Sequence, residues 1–240
     1  FLGSLDIQQG SYDQAIEHYA ASLAIRRELG DQPMIASLLS NMSIVAFHQG
    51  DEPGAWALCR ESLEIRRAAG NRLWIANSLG NLGMLALEAE RYDEAQASME
   101  EALGLERNVG DRAAIAISLN NLGNVARAQG DYERAHALYG ESLTLNQGLG
   151  DGWALAYLLE DLGCLAALQA APERALQLAA AAAALRDSIG APLSPPEQAG
   201  LDRKLAAARA SRGPAAESDW AAGRALTLEQ AIELALDSAA

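Results

Sequence analysis

Apolar residues along this chain recur at three- and four-residue intervals, in paired blocks separated by glycine. That spacing is the mark of amphipathic helices. The clearest pair lies in residues 112–151, RAAIAISLNNLGNVARAQGDYERAHALYGESLTLNQGLGD. It predicts one helix from about Ala114 to Gln129 and a second from Tyr132 to Leu149, broken at Gly130-Asp131 and closed at Gly150-Asp151. The block repeats every forty residues. Gly30, Gly70, Gly110, Gly150 and Gly190 end successive units, and Ala15, Ala55, Ala95, Ala135 and Ala175 sit early in each second helix. A glycine just past a helix can take the left-handed conformation that closes the last turn. The residue after it (Asp31, Asn71, Asp111, Asp151) suits the N-terminal side of the next helix. Small residues such as Gly83, Gly123 and Gly163 mark close helix crossings, and Leu79, Leu82, Leu119, Leu122, Leu159 and Leu162 fill the space between. Each hairpin alone leaves an apolar face uncovered, so the hairpins must stack.

The repeats span 1–31, 32–71, 72–111, 112–151 and 152–191. In repeat two, Pro33 suits a helix start, and Pro53-Gly54 fit only the first turn of the second helix. The match of Leu2-Gly3 to Leu82-Gly83 implies that repeat one has lost its first turns and that the chain is part of a longer protein. Repeat five decays. Ala171-Pro172 replaces Asp131-Tyr132, and residues 179–184 are all alanine, a surface that another helix could approach closely or simply the worn end of the array. Residues 192–240 form a C-terminal helical cap. Ser194-Pro195-Pro196-Glu197 and Thr227-Leu228-Glu229-Gln230 read as capping boxes, predicting helices over about 195–211 and from Thr227 to about Leu236, with a shorter one at 215–223. Leu201, Leu205, Leu226, Ile232 and Leu236 would dock this tail on repeat five.

The residues Leu82-Gly83, Tyr92, Ala95, Met99, Ala102 and Leu103, with Leu122-Gly123, Tyr132, Ala135, Tyr139, Ser142 and Leu143, resemble the tetratricopeptide repeat family. The usual period of that family is about 34 residues. The forty-residue form is similar to that of kinesin light chains and of large bacterial ATP-dependent regulators of the LuxR type. The stretch from Trp220 to Ala231 resembles the tail that follows such arrays. The family's first-helix Trp is replaced here by Leu39, Leu79, Leu119 and Leu159. The resemblance covers about 1–190. It implies an all-α, right-handed superhelical solenoid of about five hairpins plus capping helices. It also implies a protein- or peptide-binding scaffold, or sensor, within a larger bacterial signalling or transcriptional regulator. The alternative is a structural module for self-association or for packing against further domains.

Charge and chemistry narrow the picture. Eighteen Lys and Arg against 32 Asp and Glu give a net charge of −14. That argues against binding a nucleic-acid backbone; the acidity reads first as a solvated convex face, and otherwise as favouring a basic or neutral partner. Cys59 falls in the register of Tyr19, Met99 and Tyr139, so it reads as a small buried hydrophobe. It lies too far along the array from Cys164 for a disulfide, which suits a reducing cytoplasm. No apolar run approaches a membrane span. No phosphate-binding glycine loop occurs, and His18, His48 and His136 lack metal-ligand spacing. No cofactor and no catalytic set are expected.

The candidate site is the first helix of each hairpin. At about 100° per residue, Asn77, Gly80, Asn81, Met84 and Glu88 share one arc, as do Ile117, Asn120, Asn121, Asn124 and Ala128, with Arg127 at its edge. One rung repeats as Asn41, Asn81 and Asn121, then Asp161. Asparagine is a poor helix-interior residue, so its recurrence needs a cause. Either the amides contact the backbone of an extended peptide in a concave groove, or they bond between repeats and stiffen the stack. The resemblance implies the first, since groove asparagines hold peptide backbones in several such proteins. Neighbours such as Arg127, Tyr157 and Asp161 would then select the sequence. A homo-oligomer is a further expectation.

Overall fold

The computed structural model describes residues 12–237, and the Leu2-Gly3 match lies outside them. Among the described residues there are twelve helices and no strand. They are α1 (Tyr12–Leu29), α2 (Gln32–His48), α3 (Glu52–Ala69), α4 (Arg72–Glu88), α5 (Tyr92–Val109), α6 (Arg112–Ala128), α7 (Tyr132–Leu149), α8 (Gly152–Leu168), α9 (Pro172–Ile189), α10 (Pro195–Arg212), α11 (Ala215–Arg224) and α12 (Leu228–Leu236). The fold is all-α and built from antiparallel hairpins. The α6–α7 pair starts two residues before its expected boundary and ends where the pattern placed it. The chain forms two compact units, 1–111 and 112–240.

Local chemistry explains the boundaries. Gly70, Gly110, Gly150 and Gly190 all have positive φ at helix C-termini. The residue that follows caps the next helix: the Asp31, Asn71 and Asp151 side chains accept from the backbone N–H of Met34, Trp74 and Ala154. The turn within each hairpin also needs positive φ, and it is met by Gly50 and Gly130 but also by Glu90 (φ 58°) and Ala170 (φ 59°). The backbone has kept this conformation where the side chain no longer favours it.

In unit 1, the α2–α3 and α4–α5 hairpins close over Leu39, Cys59, Leu79 and Met99, all buried. The Gly83 Cα faces Met99 so closely that an added Cβ would sit 2.6 Å from Cγ. Burial pushes the Cys59 thiol up from its ordinary range, and both cysteines are free and buried. A chain of hydroxyls crosses this core: Ser62 donates to the Ala36 carbonyl at 2.8 Å and meets Ser40 at 2.9 Å and Ser78 at 3.2 Å. On the outside, consecutive second helices are tied by ion pairs thirty-four residues apart, Arg27–Glu61 at 2.9 Å and Arg67–Glu101 at 2.8 Å.

In unit 2, Leu119, Tyr139, Leu143, Leu155, Leu158, Leu159 and Leu162 are buried between α6, α7, α8 and α9. Helix α9 admits another helix at close range just before its alanine run. Gly223 of α11 lies against the Gln177 backbone, where a Cβ would come within 2.2 Å of the carbonyl oxygen. Leu201 and Leu205 of α10 and Ala216 of α11 complete a cluster with Leu176 and Ala179, and Trp220 packs at its side. Helix α12 takes a path the periodicity does not show. Ala231, Ile232 and Ala235 join the cluster made by α7, α8 and α9, so α12 lies on both helices of repeat five and also reaches α7 of repeat four. The Ala235 carbonyl at its C-terminal end accepts from Arg174 at 3.1 Å and lies 3.0 Å from His136 Nε2. A clue lies in one register: Glu61, Glu101 and Glu141 give way to Ala181, which is buried here.

Candidate functional site

In unit 1 the face formed by α2 and α4 carries Asn41, Asn77 and Asn81. Helical phase holds: Met84 and Glu88 are exposed, Asn81 is half-buried, and Leu79 and Leu85 point into the core. The three asparagines differ in their surroundings. Asn77 accepts a hydrogen bond from Arg66, a buried cation whose same Nη1 donates to the Trp74 carbonyl at 3.0 Å. Asn81 instead lines a cavity of about 260 Å³ between α2 and α4. Ile44, Phe47, Met84 and Leu85 form its walls, with Ser43, His48 and Glu88 around it. No side-chain partner satisfies Asn81 among the described residues. Asn41 is half-buried on α2, one turn of helix before Ile44.

In unit 2 the corresponding face is a polar network. The Arg127 Nη2 donates to Asn124 Oδ1 at 2.9 Å and lies 3.7 Å from Asp161 Oδ1. The Asn120 amide donates to Asp161 at 3.3 Å, and Asn124 donates to Asn120 at 3.4 Å. From beneath, the buried Tyr139 hydroxyl donates to Asn124 at 2.9 Å. Burial, with the Asp161 carboxylate nearby, pushes that phenol far above its ordinary range, so it remains a donor. Thus Asn120, Asn124, Arg127 and Asp161 meet, and each is braced by the others. Asn121 is half-buried and has no side-chain partner among the described residues. Within the rung, then, Asn41, Asn81 and Asn121 have no side-chain partner among the described residues and keep spare hydrogen-bonding capacity, while Asp161 and the neighbouring Asn77, Asn120 and Asn124 are engaged.

Tyr157 belongs to a different cluster. Its ring packs at a tilt of 55° against Trp153 and lies under the Arg186 guanidinium, 4.2 Å from the ring centre. Its hydroxyl donates to Glu197 at 3.1 Å. Glu197 also accepts from the Ser194 hydroxyl and backbone N–H, and these bonds hold its carboxyl below the usual range. Arg186 grips Glu160 through Nε at 2.6 Å and Nη2 at 3.0 Å. Burial disfavours the Arg186 charge, but the Glu160 carboxylate outweighs it, and the guanidinium stays above its ordinary range. A cleft of about 330 Å³ opens beside this pair, bounded by Pro192, Leu193, Gln198 and Trp220.

Sequence reasoning missed the register that supplies these cations. Arg66, Glu106, Asn146 and Arg186 recur at forty residues and all are buried. The signal was a polar residue repeated near the end of each second helix. Among the described residues no group of three His, Cys, Asp or Glu side chains could hold a metal ion. Among the same residues no helix is long and apolar enough to cross a membrane.

Comparison with known proteins accords with this architecture. BtubC (BKLC) from P. vanneervenii superposes with a TM-score of 0.73 at 21% identity, covering 93% of this chain and 91% of its own. A Signal Transduction ATPase with Numerous Domains, PH0952 from Pyrococcus horikoshii, which carries a tetratricopeptide repeat sensor, gives 0.63 at 16% identity. The match covers 90% of this chain and 36% of that one. The apo form of RapI gives 0.62 at 15% identity, covering 98% and 71%. At these identities the likeness shows the fold alone. No curated protein sequence matches the chain. The sequence model of the tetratricopeptide repeat matches residues 1–68, 34–108 and 75–148, so this chain belongs to the tetratricopeptide repeat family.

Proposed function

We propose that the chain is a peptide- or protein-binding scaffold, acting as the sensor of a larger bacterial signalling or regulatory protein. The observation that carries this is the state of the asparagine rung. Asn81 and Asn121 keep both amide functions available on first-helix faces, whereas Asn77, Asn120 and Asn124 are held by Arg66, Asp161, Arg127 and Tyr139. An unengaged amide can both donate to and accept from an extended backbone. The tetratricopeptide sensor of PH0952 supports the sensing role. The test is selection of a displayed random-peptide library on the full chain, followed by titration of a selected peptide. The Asn81→Ala/Asn121→Ala double variant should bind roughly 1–3 kcal/mol more weakly, at about 0.5–1.5 per lost hydrogen bond. Its melting temperature should hold, because alanine is the better helix former. Unchanged affinity with a lower melting temperature would make the rung a structural strut.

A second reading, self-association, draws on Trp74 and Trp153, both exposed at starts of first helices. Sedimentation of the wild type and of a Trp74→Ser/Trp153→Ser variant decides it: a dimer lost in the variant would support this reading.

A further inference from the structure

The cavity between α2 and α4 has a definite chemical character. Its walls are the apolar side chains of Ile44, Phe47, Met84 and Leu85. Ile44 is 41% exposed and Met84 36% exposed, on neighbouring helices, so the two flank an open apolar mouth. Large hydrophobics scattered singly on a surface need no explanation, but a concave pair with a cavity behind it does. The volume, about 260 Å³, falls below the range of roughly 300–1,000 Å³ common for drug-sized ligands. It suits a side chain rather than a whole small molecule. At the mouth stands Asn81, whose amide is unengaged among the described residues, and one helical turn beyond Met84 stands Glu88. Glu88 is exposed and has no ion-pair partner among the described residues, unlike Glu61 and Glu101 of the same unit, which pair with arginines.

We infer that this cavity is a two-part recognition subsite for an extended segment carrying a bulky apolar residue next to a lysine or arginine. The apolar side chain enters between Ile44, Phe47 and Met84. The Asn81 amide bonds the segment's backbone beside it, and the Glu88 carboxylate meets the cation. Apolar burial supplies most of the affinity. The exposed carboxylate supplies selectivity and speeds encounter, helped by a net charge of −14. This inference rests on the peptide-binding reading above and names its ligand class.

Labelled nonapeptides of alanine and serine, with Phe-Lys, Phe-Glu or Ser-Lys at their centre, test it by fluorescence anisotropy on the full chain at low ionic strength. The Phe-Lys peptide should bind at least tenfold tighter than Ser-Lys and several-fold tighter than Phe-Glu. Glu88→Lys should reverse the preference between Phe-Lys and Phe-Glu, while Met84→Asp should weaken both Phe peptides. Glu88 is a surface residue, so its reversal does not threaten the fold. If the chain captures peptides from the random library but shows no Phe preference, or none that Glu88→Lys alters, the subsite is refuted and the scaffold reading stands. If it captures no peptide at all, both fall together.

Discussion

The contact between α11 and α9 makes a sharp prediction, because one substitution can be tried at two glycines with opposite expected signs. At Gly223 an added Cβ would lie 2.2 Å from the Gln177 carbonyl oxygen, 2.6 Å from its Cα and 2.8 Å from its carbonyl carbon. All three are backbone atoms of a helix, so no rotamer change relieves them. Helix α11 must retreat by roughly 1 Å to reach ordinary contact at 3.4 Å, loosening Ala216 and Trp220 from Leu176 and Leu205. Overpacking of this kind costs about 1–3 kcal/mol. Alanine returns roughly 0.8–1 kcal/mol through helix propensity, which leaves a net loss of up to about 2 kcal/mol for Gly223→Ala. At Gly200 in α10 the nearest atom is Arg203 Nη2 at 3.9 Å, so Gly200→Ala keeps the propensity gain and should stabilise by about 0.5–1 kcal/mol. Urea unfolding followed by far-ultraviolet circular dichroism and Trp fluorescence measures both. Midpoints that move in the same direction for the two variants would refute the claim that backbone contact sets the closeness of α11.

Three further outcomes are expected. Glu160→Gln leaves Arg186 buried without its counter-charge and should destabilise unit 2 by about 3–5 kcal/mol, read by denaturant unfolding; a loss under about 1 kcal/mol would show that the cation finds water or another acceptor. Glu90→Gly relieves a positive φ and should stabilise by up to about 1 kcal/mol, whereas a lower melting temperature would mean that the glutamate side chain holds the turn. Gly123→Leu places a branched side chain where even a Cβ would meet the Tyr139 ring at 2.5 Å; it should cost about 1–3 kcal/mol, and an unchanged melting temperature would remove Gly123 from the crossing.

Most of the fold was legible because its determinants are local. Closing glycines, Asp and Asn caps, and the Leu and Ala registers each act within one hairpin and recur at forty residues. Helical phase separates Asn81 and Asn121, both half-buried, from the buried Leu79 and Leu119 on the same helices. What phase could not show was the state of each amide. Asn120 and Asn121 are adjacent, yet one is bound to Asp161 and the other is not, because the partner lies on α8, some forty residues on. Tyr157 was expected beside Arg127 and Asp161, but the linker brings Glu197 to its hydroxyl and α9 brings Arg186 over its ring. Linker paths leave no periodic trace. The return of α12 onto α7 was hidden for the same reason, although the change from Glu141 to Ala181 announced an apolar surface in place of a charged one.

The pairing of Arg27 with Glu61 and of Arg67 with Glu101 bears on how such a chain can lengthen. Both pairs are half-exposed, each worth at most about 1 kcal/mol, and they join equivalent positions in successive repeats. A duplicated copy of repeat two or three would therefore carry the handholds its neighbours require, and its insertion disturbs little. Repeat five has surrendered that interchangeability. Ala181 has no carboxylate to offer, and Gln177 is covered by Gly223 at backbone distance, so a further repeat added after it would meet an occupied surface. Growth by duplication is open in the interior of the array and closed at this end.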